Sequence, residues 1–233
     1  MSLLVCLRAT DGLVLASDGR GTFGDPRGVT AQNDFQQKLY VLNPRVGAMV
    51  AGSGELGAMV MSVFHAEHPD APDLGVTDLM WCLRDCARKN FAQWFEKFAI
   101  QGGSPDRPER PGLAVIVAGY EADGTTTKIY QLVSAADFAP FLHDYGFAVS
   151  GVAQYALYLL NRLYEPGCTV SRLLHLAAYA ITETASQDGK VGGRIQMATV
   201  TPQSAQPLTP EEVGTILAAN EQRRTGLRNS FFD

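Results

Sequence analysis

The order of strand-like and helix-like patterns constrains this chain's fold more tightly than any single motif. Leu3 to Leu7 and Leu13 to Ala16 are apolar runs around the turn chemistry of Thr10-Asp11-Gly12, which predicts a hairpin. Residues 21 to 37 are polar and glycine-rich. After them Lys38 to Val41 and Val46 to Ala51 predict a second hairpin around Asn43-Pro44, closing at Gly52-Ser53-Gly54. Helical patterns follow at Glu55 to Glu67 and Val76 to Phe98, the second with Leu79, Leu83, Ala87, Phe91, Trp94 and Phe98 at helical spacing. Beyond the loop from Gly102 to Pro111, Leu113 to Gly119 and Lys128 to Val133 predict strands around Asp123-Gly124. Gln154 to Tyr164 and Val170 to Ser186 predict helices, and Ile195 to Thr201 a last strand. Strands, two helices, strands, two helices, strand fits an α+β fold better than alternating β-α-β units. The expected architecture is a four-layer αββα sandwich, two stacked antiparallel sheets between helical layers. Residues 2 to 201 would form this domain and residues 202 to 233 a C-terminal extension. The extension's helix starts at Thr209-Pro210-Glu211-Glu212, with a Thr cap, Pro in the first turn and Glu three positions after the Thr.

The register of the first hairpin decides which side chains meet. A three-residue loop with Gly12 in the left-handed position places Ser2 opposite Arg20 and Leu4 opposite Asp18, so that Ser2 and Asp18 share a face. A two-residue loop shifts the pairing by one and puts them on opposite faces.

Composition excludes several classes of function. Of 233 residues, 46% are apolar and 18% charged, which is globular composition and not that of a disordered chain. Nineteen basic against twenty-four acidic residues leave a formal charge of −5, and five of the basic residues are lysines, so no nucleic-acid surface is expected. No apolar run approaches the ~18 residues of a membrane span. The start M-S-L-L-V-C-L-R has no basic region before its apolar stretch, so neither membrane insertion nor export is expected. Cys6, Cys82, Cys86 and Cys168 lack C-x-x-C spacing and read as reduced core thiols of a cytoplasmic protein. No cofactor or metal is implied. His65 and His68 are three apart at a helix end without a distant third ligand, Gly52-Ser53-Gly54 lacks the lysine of a phosphate loop, and no G-x-S-x-G elbow occurs.

Three features carry chemistry: Ser2 directly after Met1, the stretch S-D-G-R-G-T from Ser17 to Thr22, and Lys38, with no other lysine before Lys89. Singly, each has an ordinary reading, since a strand lysine commonly snorkels to solvent and an aspartate before glycine commonly makes a turn. Together they resemble the proteasome β-subunit family of the N-terminal-nucleophile hydrolases, over roughly Ser2 to Val200. In that family the first mature residue, usually Thr, is followed sixteen positions later by an Asp in a segment like A-D-S-R-A-T. Here Ser2 and Asp18 have that spacing in A-S-D-G-R-G-T, and the match includes Arg20 and Thr22. The family's active-site Lys opens a strand like K-I-x-x-I, and an A-G turn fourteen positions on supplies an oxyanion-hole N–H. Here K-L-Y-V-L starts at Lys38, and Gly52 follows Ala51 at that distance. The family's S-G turn is matched by Ser150-Gly151, and its D-x-x-S-G-G by Asp188 through Gly193, with Val191 in place of the serine.

The resemblance implies a peptidase. Ser2, freed by removal of Met1, would attack the peptide carbonyl. Its α-amine, titrating near 7.7 to 8.0 in free form, would act as the base. Lys38, held by Asp18, would lower the pKa of hydroxyl and amine alike, Gly52 would hold the oxyanion, and Ser150 and Asp188 would support the amine. Arg20, Gly21 and Thr22 would engage substrate backbone as an added strand, and Gln36, Tyr40, Val50 and Gly54 would shape the first specificity pocket. Val191 cannot hydrogen-bond the amine, and losing one such bond costs ~0.5 to 1.5 kcal/mol. The resemblance further implies a peptide or unfolded-protein substrate, a homo-oligomeric ring or stacked rings, and a separate ATP-dependent unfoldase. Two rival readings are a non-catalytic assembly subunit of the same fold and an N-terminal-nucleophile amidase acting on small amides.

Overall fold

A computed structural model describes residues 2–25, 28–69, 73–103 and 105–232. Among them, one sheet contains, in spatial order, β10 (Phe147–Gly151), β1 (Leu3–Arg8), β2 (Leu13–Ser17), β11 (Gln196–Val200) and β12 (Ala205–Pro207). The other contains β5 (Leu39–Asn43), β6 (Val46–Gly52), β7 (Leu113–Tyr120), β8 (Thr127–Val133) and β9 (Pro140–Leu142). β3 (Gly21–Asp25) and β4 (Gly28–Asn33) form a separate two-stranded ribbon. All these pairings are antiparallel.

The central strands are apolar on both faces because each lies between a helical layer and the opposite sheet. Along β1, Leu3, Val5 and Leu7 pack toward the helices α3 (Gln154–Leu163) and α4 (Val170–Gln187), with Leu160, Ala177 and Ile181. Leu4 and Cys6 point the other way and meet Met49, Ile116 and Ala118 of the second sheet. Burial pushes the Cys6 thiol up to about 12, so it is an inert core group. On the far side of the second sheet, Val50, Val115 and Val117 meet Val60, Phe64, Leu83 and Phe91 of α1 (Gly54–Glu67) and α2 (Val76–Trp94). The four-layer αββα sandwich is therefore the fold of this chain.

The elements differ from the sequence pattern where burial is one-sided or edges are short. The ribbon β3–β4 falls in the stretch expected to be merely polar and glycine-rich. α2 ends at Trp94 rather than Phe98: Phe95 leaves helical geometry, and the Phe91, Phe95 and Phe98 rings pack on one another. The C-terminal segment joins the sandwich through β12, which pairs with β11, and through Val213 and Ile216 of α5 (Pro210–Asn229), which enter the helix-side core. Its start carries the expected capping box, with reciprocal bonds between Thr209 and Glu212.

The first hairpin takes the two-residue alternative. Ala9 N–H bonds Gly12 C=O at 2.8 Å and Leu4 lies opposite Ser17, so of the two registers compatible with the sequence the one with Leu4 opposite Asp18 does not form. Strand alternation nonetheless stops at Ser17, and Asp18 is free to turn its carboxylate toward the site.

At the β7–β8 turn, Asp123 accepts from Thr125 N (2.8 Å), Thr126 N (3.0 Å) and Thr126 Oγ1 (2.9 Å). These donors hold its carboxyl down to about 2. The folded value lies below the unfolded one, so this contribution to stability is complete above about pH 4 and fades as pH falls toward 2. Asp123→Asn should therefore flatten the acid limb of the stability curve, measured by urea unfolding at stepped pH. An unchanged acid limb would mean the turn forms without the carboxylate.

Candidate active site

Three chain segments converge at one end of the gap between the sheets. Ser2 stands just ahead of β1 and is 3% exposed, and its carbonyl accepts from Val152 N at 2.8 Å. Gly151 makes that approach feasible: it has φ +90°, and a Cβ there would collide with the Ser2 carbonyl. Met1 lies outside the described residues.

Asp18, fully buried, is saturated with donors. Its Oδ1 accepts from Leu3 N (2.9 Å) and Lys38 Nζ (2.7 Å), and its Oδ2 from Arg20 N (3.2 Å) and Gly192 N (3.1 Å). One carboxylate thus ties the residue after Ser2, the S-D-G-R-G-T loop, the Gly192-Gly193 turn and the lysine to a common point. Lys38 is 2% exposed, and its Nζ also donates to the Arg20 carbonyl at 2.6 Å. Burial lowers the Lys38 pKa from its ordinary value, opposed chiefly by the charge and hydrogen bond of Asp18.

A surrounding frame fixes these groups. The Arg20 guanidinium grips Asp34 through two bonds, 2.7 and 3.0 Å, and donates to Gly189 C=O at 3.0 Å. That contact holds the Asp34 carboxyl below the usual range. Asp34 was not legible as a site residue, because its sequence context is an ordinary polar loop. Gln196 likewise has no distinguishing sequence context. Its Oε1 accepts from Lys38 N (3.1 Å) and Leu39 N (3.3 Å), and its Nε2 donates to Gln36 C=O (2.7 Å).

A small pocket of about 140 Å³ opens beside Ser2, lined by Gly21, Thr22, Phe23, Gln36, Gly52, Ser53, Gly54 and Glu55 as well as Ser2. Larger cavities, of about 510 and 400 Å³, flank α5 and contain none of Ser2, Asp18 or Lys38. Tyr40 and Val50 do not line the small pocket; both pack into the core under α1 and α2. Ser150 is buried on β10, opposite Leu4, and its Oγ accepts from Gln131 Nε2 at 3.1 Å. Gln131 Oε1 in turn meets His143 Nε2 at 3.1 Å. Asp188 caps the end of α4 and accepts from Lys190 N at 2.9 Å, and Val191 is fully buried in the helix-side core. Outside the site, His65 and His68 pack on Phe64, and His175 bonds Asn220 of α5. Among the described residues no group of three metal-ligating side chains occurs and no helix is long and apolar enough to cross a membrane.

Two glycines of the pocket differ in what they exclude. Gly52 has φ +108°, and a Cβ would strike the Gly112 carbonyl, which is backbone and cannot step aside. Gly52→Ala should cost about 1–3 kcal/mol in unfolding free energy. At Gly54 a Cβ would strike only the end of the Gln36 side chain, which can swing away. Gly54→Ala should leave stability within about 0.5 kcal/mol. Equal losses in the two variants, by chemical denaturation, would contradict this contrast.

Two stacked antiparallel sheets between helical layers thus hold Ser2 ahead of an inner strand, with a buried lysine–aspartate pair bonded to the amide of the following residue. Residues 104–200 match the Proteasome subunit family. The chain is 24% identical over 207 residues to a proteasome subunit beta of Methanosphaera stadtmanae, covering 89% of this chain and 90% of that one. The chain is thus similar to a proteasome β subunit along most of its length, and the family match covers residues 104–200. Solved structures with the same fold include the helical assembly of the Anbu complex from Pseudomonas aeruginosa, with TM-score 0.76, 19% identity and coverage of 98% of this chain and 95% of that one. Another is Anbu (ancestral beta-subunit) from Yersinia bercovieri, with TM-score 0.74, 15% identity and coverage of 99% and 97%.

Proposed function

We propose that this chain is a proteasome-like peptidase whose nucleophile is the Ser2 hydroxyl, made N-terminal by removal of Met1. The observation that carries the reading is the Lys38–Asp18 pair, buried one residue from Ser2 and bonded to the Leu3 amide. A buried ion pair is weak evidence for stability by itself. Beside a hydroxyl and an amine it has a use, because the ammonium charge lowers the pKa of both.

In this reading Ser2 Oγ attacks the peptide carbonyl carbon and passes its proton to the Ser2 amine. An Oγ–C bond forms, the carbonyl π electrons move to oxygen, and the Gly52 N–H donates to that oxyanion. Collapse breaks the C–N bond, and the leaving amine takes the proton from the Ser2 amine. Water, deprotonated by the same amine, then releases the acid and restores Ser2. Substrate backbone would run along Gly21 and Thr22 of β3 as an added strand, with Ser150 and Asp188 near the amine and Gln36 and Gly54 bounding the first side-chain pocket. A homo-oligomeric ring or stacked rings in the cytoplasm, fed by a separate unfoldase, complete the proposal.

A second reading, the non-catalytic assembly subunit, is favoured by Val191, which puts an apolar core side chain where the family has a hydroxyl. The Ser150 hydroxyl, moreover, is already engaged by Gln131. A peptide-like β-lactone separates the two. Ring opening by a hydroxyl adds the probe's whole mass as an ester, and peptide mapping should find it on Ser2. Absence of label from mature protein would move the assignment to the assembly subunit.

A further inference from the structure

The two halves of the ion pair come from different sheets, Asp18 from the end of β2 and Lys38 from the residue before β5. Their separation therefore depends on how the sheets sit on one another at this end. Gln196 is built into both sides of that joint. Its backbone pairs with Ser17, the neighbour of Asp18, in the β2–β11 ladder. Its carboxamide crosses to the other sheet and bonds three backbone groups, the amides of Lys38 and Leu39 and the carbonyl of Gln36. The β5–β6 ladder begins at Leu39 and Val50 N donates to the Lys38 carbonyl at 2.8 Å, so β6 holds the carbonyl side of the lysine's root and Gln196 its amide side. The neighbouring Ser17 hydroxyl is buried without a hydrogen-bond partner among the described residues and does not share the task.

The geometry points to Gln196 as the positioning residue for Lys38, setting the lysine's root so that Nζ meets Asp18 Oδ1 and the Arg20 carbonyl together. Its effect on turnover rests on the peptidase reading above, whereas the positioning itself does not. The charged groups acting on Lys38 are Asp18, Arg20 and Asp34, and all remain when Gln196 is changed.

The test uses the full chain labelled with 13C at lysine Cε. Five lysines make the spectrum tractable, and Lys38→Arg assigns the resonance. Gln196→Met keeps the side-chain length and removes all three bonds. Nζ then loses its fixed approach to Asp18, the group that holds its pKa up against burial, so the Lys38 titration midpoint should fall by about one pH unit. Peptide kcat should fall about tenfold with KM changed less than about twofold. Val200→Ala, a buried change on the same strand, controls for plain destabilisation and should leave the Lys38 midpoint in place. If Gln196→Met does not fold, Gln196→Asn, one methylene short, should move both readouts in the same directions. An unmoved midpoint in the Gln196 variants, or the same movement in Val200→Ala, overturns the proposal. A wild-type chain without peptide turnover but with the midpoint shift in Gln196→Met would sink the peptidase reading and leave the positioning role standing.

Discussion

Asp18→Ala is expected to cost the fold about 3–5 kcal/mol, the range for removing one partner of a buried ion pair. The loss has two sources. Lys38 keeps a positive charge at 2% exposure, with the Arg20 carbonyl as its remaining hydrogen-bond acceptor among the described residues. The Leu3, Arg20 and Gly192 amides also lose their acceptor. The pH dependence identifies the cause. The folded Lys38 pKa is already lowered by burial, and loss of the Asp18 charge lowers it further. Between that depressed value and the unfolded value of about 10.4, the unfolded chain binds more protons than the folded one, so stability rises with pH. The variant's deficit should therefore be largest near neutral pH and shrink toward pH 10. Urea unfolding of wild type and variant at stepped pH measures this. A deficit below about 1 kcal/mol, or one that does not vary with pH, would mean that the lysine is solvated and the pair carries no buried charge.

What the sequence disclosed depended on where each group faces. β1, β2, β6 and β7 were legible because strands buried on both faces become apolar runs. The ribbon β3–β4 was not, since its second strand ends in exposed residues, 31–33, and carries no apolar period. β9 and β12 are three-residue edges, too short to show one. Gly12 is compatible with both hairpin registers, and the choice between them needed the Ala9–Gly12 pairing itself. Asp18 and Lys38 could be found because their spacing resembles a known family. Gln196 and Gln131 could not, because their roles exist only once two sheets are stacked: a glutamine that bridges sheets looks, in sequence, like any polar residue on a strand. Val191 shows the same limit from the other side. Read as a missing hydroxyl, it is in three dimensions a fully buried member of the helix-side core.

Ser2→Ala should abolish peptide turnover, a loss on the order of 10³-fold or more if the hydroxyl is the nucleophile. Alanine removes one oxygen and keeps the α-amine, so the variant retains the base and loses only the attacking atom. Stability should change by less than about 1 kcal/mol, because the Ser2 backbone contact to Val152 survives the substitution. Loss of turnover with an unaltered urea midpoint thus reports chemistry and not folding. Intact mass must accompany the assay. A wild-type mass lower by one methionine residue, together with the loss in Ser2→Ala, supports the amine–hydroxyl pair. A chain that keeps Met1 has its free amine one residue away from the hydroxyl, and turnover by such protein would require a different base. Lys38 would then be the candidate, because its depressed pKa raises the neutral fraction available to accept a proton. The two bases give different pH–rate profiles on Met1-retaining protein. A Lys38 base predicts a rising limb that shifts when Asp18 is changed, whereas an α-amine base predicts no turnover at all until Met1 is removed.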